Sequence, residues 1–600
     1  MGSLPNLSEI KDDDVPRTSG YSFRNERCKI RYRQSERGYL PRRKKNTFPM
    51  FEDVNLQQTA ASSPASARST NLNHVVRRKD SLTSSIGATS VRRLISVVRN
   101  SHHRPGQHHN RKTLLRHLVI FCVSHLFLNA TFPQFVVLQG SVSLWTPPLH
   151  ASFLGINLGS ALLGLMYALA AVSTIFGPFV LSRLGTSVVL LHAYAVFVLF
   201  YMAHLYPVLW ILVPAYIAMG LAFGQISLCY VGILMGLSTK MCAMSEYDDE
   251  VRAARRAVIV RRFARAIQAS QDLGLILGSL MVALIVGCWQ YSDGTKLCVG
   301  CGNCTTLDCG NVTRNCSDSY SENVNAIFEM DEHGNRICGA SACASNFPAA
   351  PIVAPTLATT LLVVFGVFSS IALCISLLGL GKVKSCAGRE ASNSLAFTVS
   401  LKAVREAFKD VKLQLVAPLA VFIGMEQAFV YTDFSKSYVV CTLGIQHLNL
   451  VFLSMGVLQS IAACTLSMLL KSIQRYYVVV VGFIFQCCVL MVQILWKPMS
   501  DDPALFYVIP AVWGVCNAIW EILTLSLLTS LYTEAWSASF CISIFFRFVG
   551  LSTSFVFHSL LCNWMKLYIL AIVMLISVIP YFCLEIRLGR TRKTFESSRL

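Results

Sequence analysis

The residues best placed to do chemistry are ionisable groups set in apolar surroundings. Glu426 and Asp433 stand seven apart in one apolar run, two turns along one face if the run is an α-helix. Gln427 adjoins the first, and Lys436 follows Asp433 by three, a spacing that lets it pair with that carboxylate. Glu521 and Arg547 lie in two later apolar runs that are neighbours in the chain. A buried charge without a partner is costly, so these groups form either interhelical ion pairs or a proton or ion relay. Gln225, Gln268, Gln271 and Asp272 are further polar positions, the last three expected at the boundary where a span begins.

A second chemistry is oxidative. Residues 291–355 hold Cys298, Cys301, Cys304, Cys309, Cys316, Cys338 and Cys343, together with sequons beginning at Asn303, Asn311 and Asn315. Beside sequons such cysteines read as disulfide partners rather than metal ligands. Seven is odd, and Cys441 is the nearest candidate to take the remaining thiol. Asn129 also heads a sequon, but inside an apolar run. Ser81 and Ser96 follow the basic clusters Arg77-Arg78-Lys79 and Arg92-Arg93, as sites of basophilic kinases do. No phosphate-cradling glycine loop, zinc-binding helix motif or nucleophile elbow is present, so neither an enzyme, a cofactor nor a metal is expected. The basic N-terminal stretch lacks the aromatic platform of a nucleic-acid binder.

These groups need helices in lipid to hold them. Of the 600 residues 54% are hydrophobic and 14% charged, against roughly 25% charged in soluble domains. Apolar windows of about 20 residues predict spans near 114–138, 156–181, 186–206, 208–236, 269–290, 355–381, 413–434, 446–470, 476–496, 504–530, 536–560 and 566–586. The expected fold class is all-α integral membrane, with twelve helices in two six-helix halves. The predicted organisation is a disordered basic tail over 1–112, a first half over 113–381 with its outer loop at 291–355, a central loop at 382–412, a second half over 413–586 and a short tail over 587–600.

Of the net charge of +20, the first 112 residues contribute +13 through 22 basic and 9 acidic side chains. With that tail in the cytoplasm, the later inside segments carry 22 Lys and Arg and the outside segments six, as the positive-inside rule asks. Both termini are therefore expected in the cytoplasm of a multi-pass protein, with the plasma membrane or endomembranes as its residence and lipid as its surroundings.

Twelve spans split by a charged central loop form the layout of the major facilitator fold. Gly177-Pro178 and Ser182-Arg183-Leu184-Gly185-Thr186 resemble that fold's signature between spans two and three, with Ser182 in place of its Asp and Thr186 in place of its second basic residue. The stretch Gly424-Met425-Glu426-Gln427-Ala428-Phe429, then Asp433-Phe434 and Cys441-Thr442-Leu443-Gly444-Ile445, resembles the seventh-span signature of the UNC-93 (uncoordinated) family. Cys338-Gly339-Ala340 with Cys343 is similar to its outer-loop motif. Trp520-Glu521, Leu531-Tyr532 and Phe545-Phe546-Arg547 with Gly550 are similar to its span ten to eleven region. The resemblance covers roughly 113–590. It implies a non-catalytic regulator of an ion channel, a two-pore-domain potassium channel in one branch of the family, or an escort of Toll-like receptors in another. A secondary solute or ion transporter is the rival reading.

Overall fold

A computed structural model describes residues 111–144, 158–244, 249–299, 332, 336–343, 353–380, 397–470, 472–499, 501, 503–533, 535–558 and 560–599. Twelve helices are long and apolar enough to cross a membrane. They are Arg111–Ser141, Leu158–Leu184, Thr186–His204, Leu209–Ala243, Arg255–Gln290, Pro355–Gly379, Val411–Leu443, Ile445–Leu469, Arg475–Leu495, Ala504–Leu531, Trp536–Phe557 and Asn563–Thr591, here spans one to twelve. In hydrocarbon a backbone finds no water to bond, so helices that satisfy their own amides are the way across. Their apolar character runs all round: Leu199, Leu284, Leu378 and Ile576 face outward, as side chains bathed in lipid do.

The packing repeats with a period of six spans. Span one lies against five and six, and span seven against eleven and twelve; two packs on four as eight packs on ten. The pairs three–four and three–six recur as nine–ten and nine–twelve. The halves meet where span two packs on eleven and span five on eight, a contact that the same repeat relates to itself. This is the arrangement of two six-helix halves that the sequence predicts.

Close backbone approach sets several of these contacts. A Cβ on Gly424 of span seven would stand 2.1 Å from the carbonyl oxygen of Arg547, and one on Gly550 of span eleven 2.2 Å from that of Val421. The two helices therefore touch backbone to backbone, which small residues permit in membranes.

Several elements add to or differ from the sequence reading. The helix carrying span five begins at Asp249 and that carrying span twelve runs to Arg599, because hydropathy detects the apolar part of a helix and not its polar continuation. The central loop contains an amphipathic helix, Phe397–Lys409, followed by Asp410, whose side chain accepts the Lys412 amide and so caps span seven. Span one breaks after Asn129 and resumes at Phe132, with Pro133 in the first turn of the second piece. Finally, span seven is α-helical over Val411–Phe429 and then a π-helix over Val430–Val440.

Residues 1–110 and most of the outer loop, hence Ser81, Ser96, Asn303, Asn311, Asn315, Cys301, Cys304, Cys309, Cys316 and the side chain of Cys298, lie outside the described residues.

Candidate functional site

Two polar assemblies occupy the membrane interior. The first lies at the junction of the halves. Arg547 Nη2 is 2.7 Å from Glu521 Oε1 and 2.9 Å from Gln427 Oε1, drawing spans eleven, ten and seven together. Gln427 Nε2 in turn donates to the Tyr431 hydroxyl at 3.0 Å. The other Glu521 oxygen accepts from Gln268 Nε2 of span five at 3.2 Å, and the same nitrogen lies 3.2 Å from Asp272 Oδ1. Gln459 of span eight reaches that Asp272 oxygen at 2.8 Å and accepts from Asn517 Nδ2 at 3.2 Å. A continuous chain of side chains thus runs from span five into the second half.

Asp272 is not at a helix boundary. It is fully buried near the middle of the stretch Arg255–Gln290, about 25 Å along the helix from Arg255 at about 1.5 Å per residue. The sequence places it at the edge because only the apolar part of the helix registers as a span. A small cavity of about 30 Å³ lies beside it, lined by Asp272, Glu521, Tyr431, Gln459 and Asn517 among others.

The second assembly is nearer the end that carries the disulfides. Asp433 Oδ1 receives Lys566 Nζ at 2.6 Å and lies 2.7 Å from His558 Nδ1, while Thr432 donates to Oδ2 at 3.2 Å. Lys566 also donates to the His558 carbonyl at 2.6 Å. The partners of Asp433 from other helices thus come from the end of span eleven and from span twelve. Lys436, expected as that partner, is buried on the same π-helical segment. Lys566, the first residue of the predicted last span, and His558 are the members that sequence reasoning missed; a basic residue at the start of that span was the available signal.

Glu426 and Asp433 do not share a set of partners. Glu426 Oε1 accepts from Gln486 Nε2 of span nine at 2.5 Å. In a π-helix each residue turns the chain less than in an α-helix, so the seven-residue spacing that would align them slips at Val430.

At the disulfide end, Cys338 is bonded to Cys441 at the close of span seven, and Cys343 to Cys562 just before span twelve. Between them Gly339 adopts φ +82°, a conformation that side chains disfavour, and packs beneath Pro498. Asn563 donates from its side chain to the Gly339 carbonyl and from its backbone to that of Ala342, each at 3.1 Å. Arg336 donates to the Cys441 carbonyl at 3.3 Å. Cys562 was absent from the sequence candidates, although it lies at the same end of the bundle as Cys441.

At the opposite end the connection between spans two and three turns on Gly185, at φ +82°. Ser182, standing where facilitators have an acid, bonds the Phe179 carbonyl of its own helix at 2.7 Å. Tyr532 donates its hydroxyl to Asp410, and burial first, then this neighbouring carboxylate, pushes the phenol up from its ordinary value.

Fold and site together define a multi-pass, all-helical membrane protein of two six-helix halves, locked by polar side chains at their junction. The resemblance to the UNC-93 family holds in comparison with known proteins. The chain is 30% identical to "Protein unc-93 homolog A" of Xenopus laevis over 190 residues, which are 32% of this chain and 41% of that protein. It is 25% identical to the homolog A of Danio rerio over 272 residues, covering 43% and 58% of the two chains. It is also 25% identical to the "Putative potassium channel regulatory protein unc-93" of Caenorhabditis elegans over 419 residues, 68% of this chain and 52% of that one. The chain thus spans about half the length of the curated relatives it matches. No family model matches it. Among solved structures it is similar to the major facilitator superfamily transporter FucP in the outward conformation, at 11% identity and a TM-score of 0.46 over 78% of this chain and 98% of that one. It is likewise similar to the nucleoside transporter NupG, at 10% identity and a TM-score of 0.47 over 79% and 98%.

Proposed function

We propose that this chain is a non-catalytic regulator of an ion channel, with a two-pore-domain potassium channel as its partner. The observation that carries the reading is the similarity to a protein named as a potassium channel regulator, which extends over 68% of this chain and hence over most of its membrane part. Two features of the site favour it. The cavity at the junction of the halves has room for about one water rather than a solute. The signature acid between spans two and three is replaced by a serine that bonds only its own helix turn.

A regulator of this kind acts by differential binding: it shifts the channel's open–closed balance by as much as it prefers one state, and each tenfold preference is worth about 1.4 kcal/mol. The protein resides in the plasma membrane with both termini in the cytoplasm and the disulfide end outside. That orientation accords with the basic-residue bias and with the sequons at Asn303, Asn311 and Asn315.

Co-expression with a two-pore-domain potassium channel in cells under voltage clamp tests the reading. The expected result is a changed channel current, with no current from this protein alone, and an effect altered by Glu426→Gln at unchanged surface level. Solute uptake into liposomes holding only this protein, abolished by Glu426→Gln, would establish a carrier instead.

A further inference from the structure

We propose that the small cavity between Asp272 and Glu521 is a binding site for one monovalent alkali cation, seated at the junction of the two halves.

Charge is the first argument. The junction brings together two carboxylates, Asp272 and Glu521, which one amide nitrogen of Gln268 reaches at 3.2 Å each. The guanidinium of Arg547 answers Glu521 and divides its contact between that carboxylate and Gln427. Asp272 forms no ion pair with a Lys, Arg or His among the described residues. With both carboxylates ionised the cluster would hold one negative charge more than Arg547 offsets, in a place where water offers little relief.

Coordination is the second. Asp272 is fully buried, and its Oδ1 accepts from both Gln268 and Gln459, yet its Oδ2 has no hydrogen-bond partner. A buried carboxylate oxygen left so is expensive, and a cation beside it removes the cost. The cavity next to Asp272 is also lined by Glu521, Tyr431, Gln459 and Asn517, all bearing oxygen, the ligand that hard cations prefer. Its volume of about 30 Å³ suits one small ion.

The surroundings select single charge. Among the described residues there is no group of three or more His, Cys, Asp or Glu that could hold a metal ion, so a divalent cation would be under-neutralised here. An ion here would be shared by Asp272 of the first half and Glu521, Gln459 and Asn517 of the second. Binding would then stabilise the closed junction, and with it the whole membrane domain.

Thermal unfolding of the purified full-length protein in detergent tests this, in sodium, potassium or N-methyl-D-glucamine chloride at equal ionic strength. At least one alkali cation should raise Tm by several degrees, with a saturable dependence on its concentration. Asp272→Asn should abolish that rise, Tyr431→Phe should move its midpoint severalfold higher, and Lys402→Gln, on an exposed surface pair, should leave it intact. Identical Tm values in all three salts would overturn the proposal, as would a rise that survives Asp272→Asn. A protein stabilised by acid alone, with no added effect of either alkali ion, would show that a proton takes up the charge and would refute the alkali site. Should Asp272→Asn not fold, the Tyr431→Phe midpoint decides: an unchanged midpoint counts against the site.

Discussion

Arg547 is shared between Glu521 and Gln427, so three spans depend on the orientation of one guanidinium. Glu521→Gln should leave that charge in the membrane with amide partners only. Breaking a buried pair typically costs about 3–5 kcal/mol, and here less, since Arg547 keeps 30% of its side chain exposed. We expect a severalfold fall in folded yield by fluorescence-detected size exclusion, and partial recovery in Glu521→Gln with Arg547→Gln. A double variant no better than the sum of the singles would show that the two do not act as a pair. Asp433 is more deeply placed, and Asp433→Asn should lower Tm further because Lys566 then loses its carboxylate; adding Lys566→Met should regain part of the loss. At this scale the sequence pointed to intramembrane charges because each is an exception to an apolar background. Glu521, Arg547, Glu426 and Asp433 stand out for that reason. Gln459 and Gln486 do not, since an uncharged amide carries no charge that demands a partner in the membrane, and their roles emerge only when the helices meet.

Backbone contact between helices is an element-level property that single-residue reasoning misses. Gly424 and Gly550 allow spans seven and eleven to touch; Gly274 and Gly278 do the same for spans five and one, where an added Cβ would meet carbonyl oxygens at 2.6 and 2.0 Å. Spans five and eleven are equivalent in the six-span repeat, so the two halves use one solution. Gly550→Val should therefore abolish folded protein, whereas Gly236→Ala, with nothing within 4 Å of the added atom, should be neutral or gain about 0.5–1 kcal/mol. Tm and yield compared side by side check this; a tolerated Gly550→Val would mean the helices can separate without harm. Hydropathy made all twelve spans legible, because twenty apolar residues leave few alternatives. It could not reveal the π-helix at Val430–Val440, whose i→i+5 bonding leaves no compositional mark, nor the polar extension of span five that carries Asp272 inward.

On the scale of the whole molecule, the two disulfides join a loop that belongs to the first half by sequence to spans seven and twelve of the second. From Cys343 to Val353 the chain has ten residues, which reach at most about 33–36 Å when extended, so the clip limits how far the halves can part at this end. Losing one bridge commonly costs about 2–5 kcal/mol. Cys343→Ser should lower Tm and retain much of the protein in the endoplasmic reticulum, as read by surface labelling. Full surface delivery would count against a structural role. For orientation, glycosidase treatment should increase gel mobility, and replacing Asn303, Asn311 and Asn315 together with Gln should remove that shift. An unchanged mobility in the parent protein would place those sequons unmodified.

The bond between Cys343 and Cys562 closes over 219 residues, and its second cysteine immediately precedes the last membrane span. Chain synthesis runs from the N-terminus, so this bond cannot form until the chain through Cys562 has left the ribosome. Until then Cys343 lacks its native partner and is open to wrong partners in the same loop. Closure of this one covalent link is therefore a molecular timestamp: it marks that the final helix has arrived beside the segment that first waited for it.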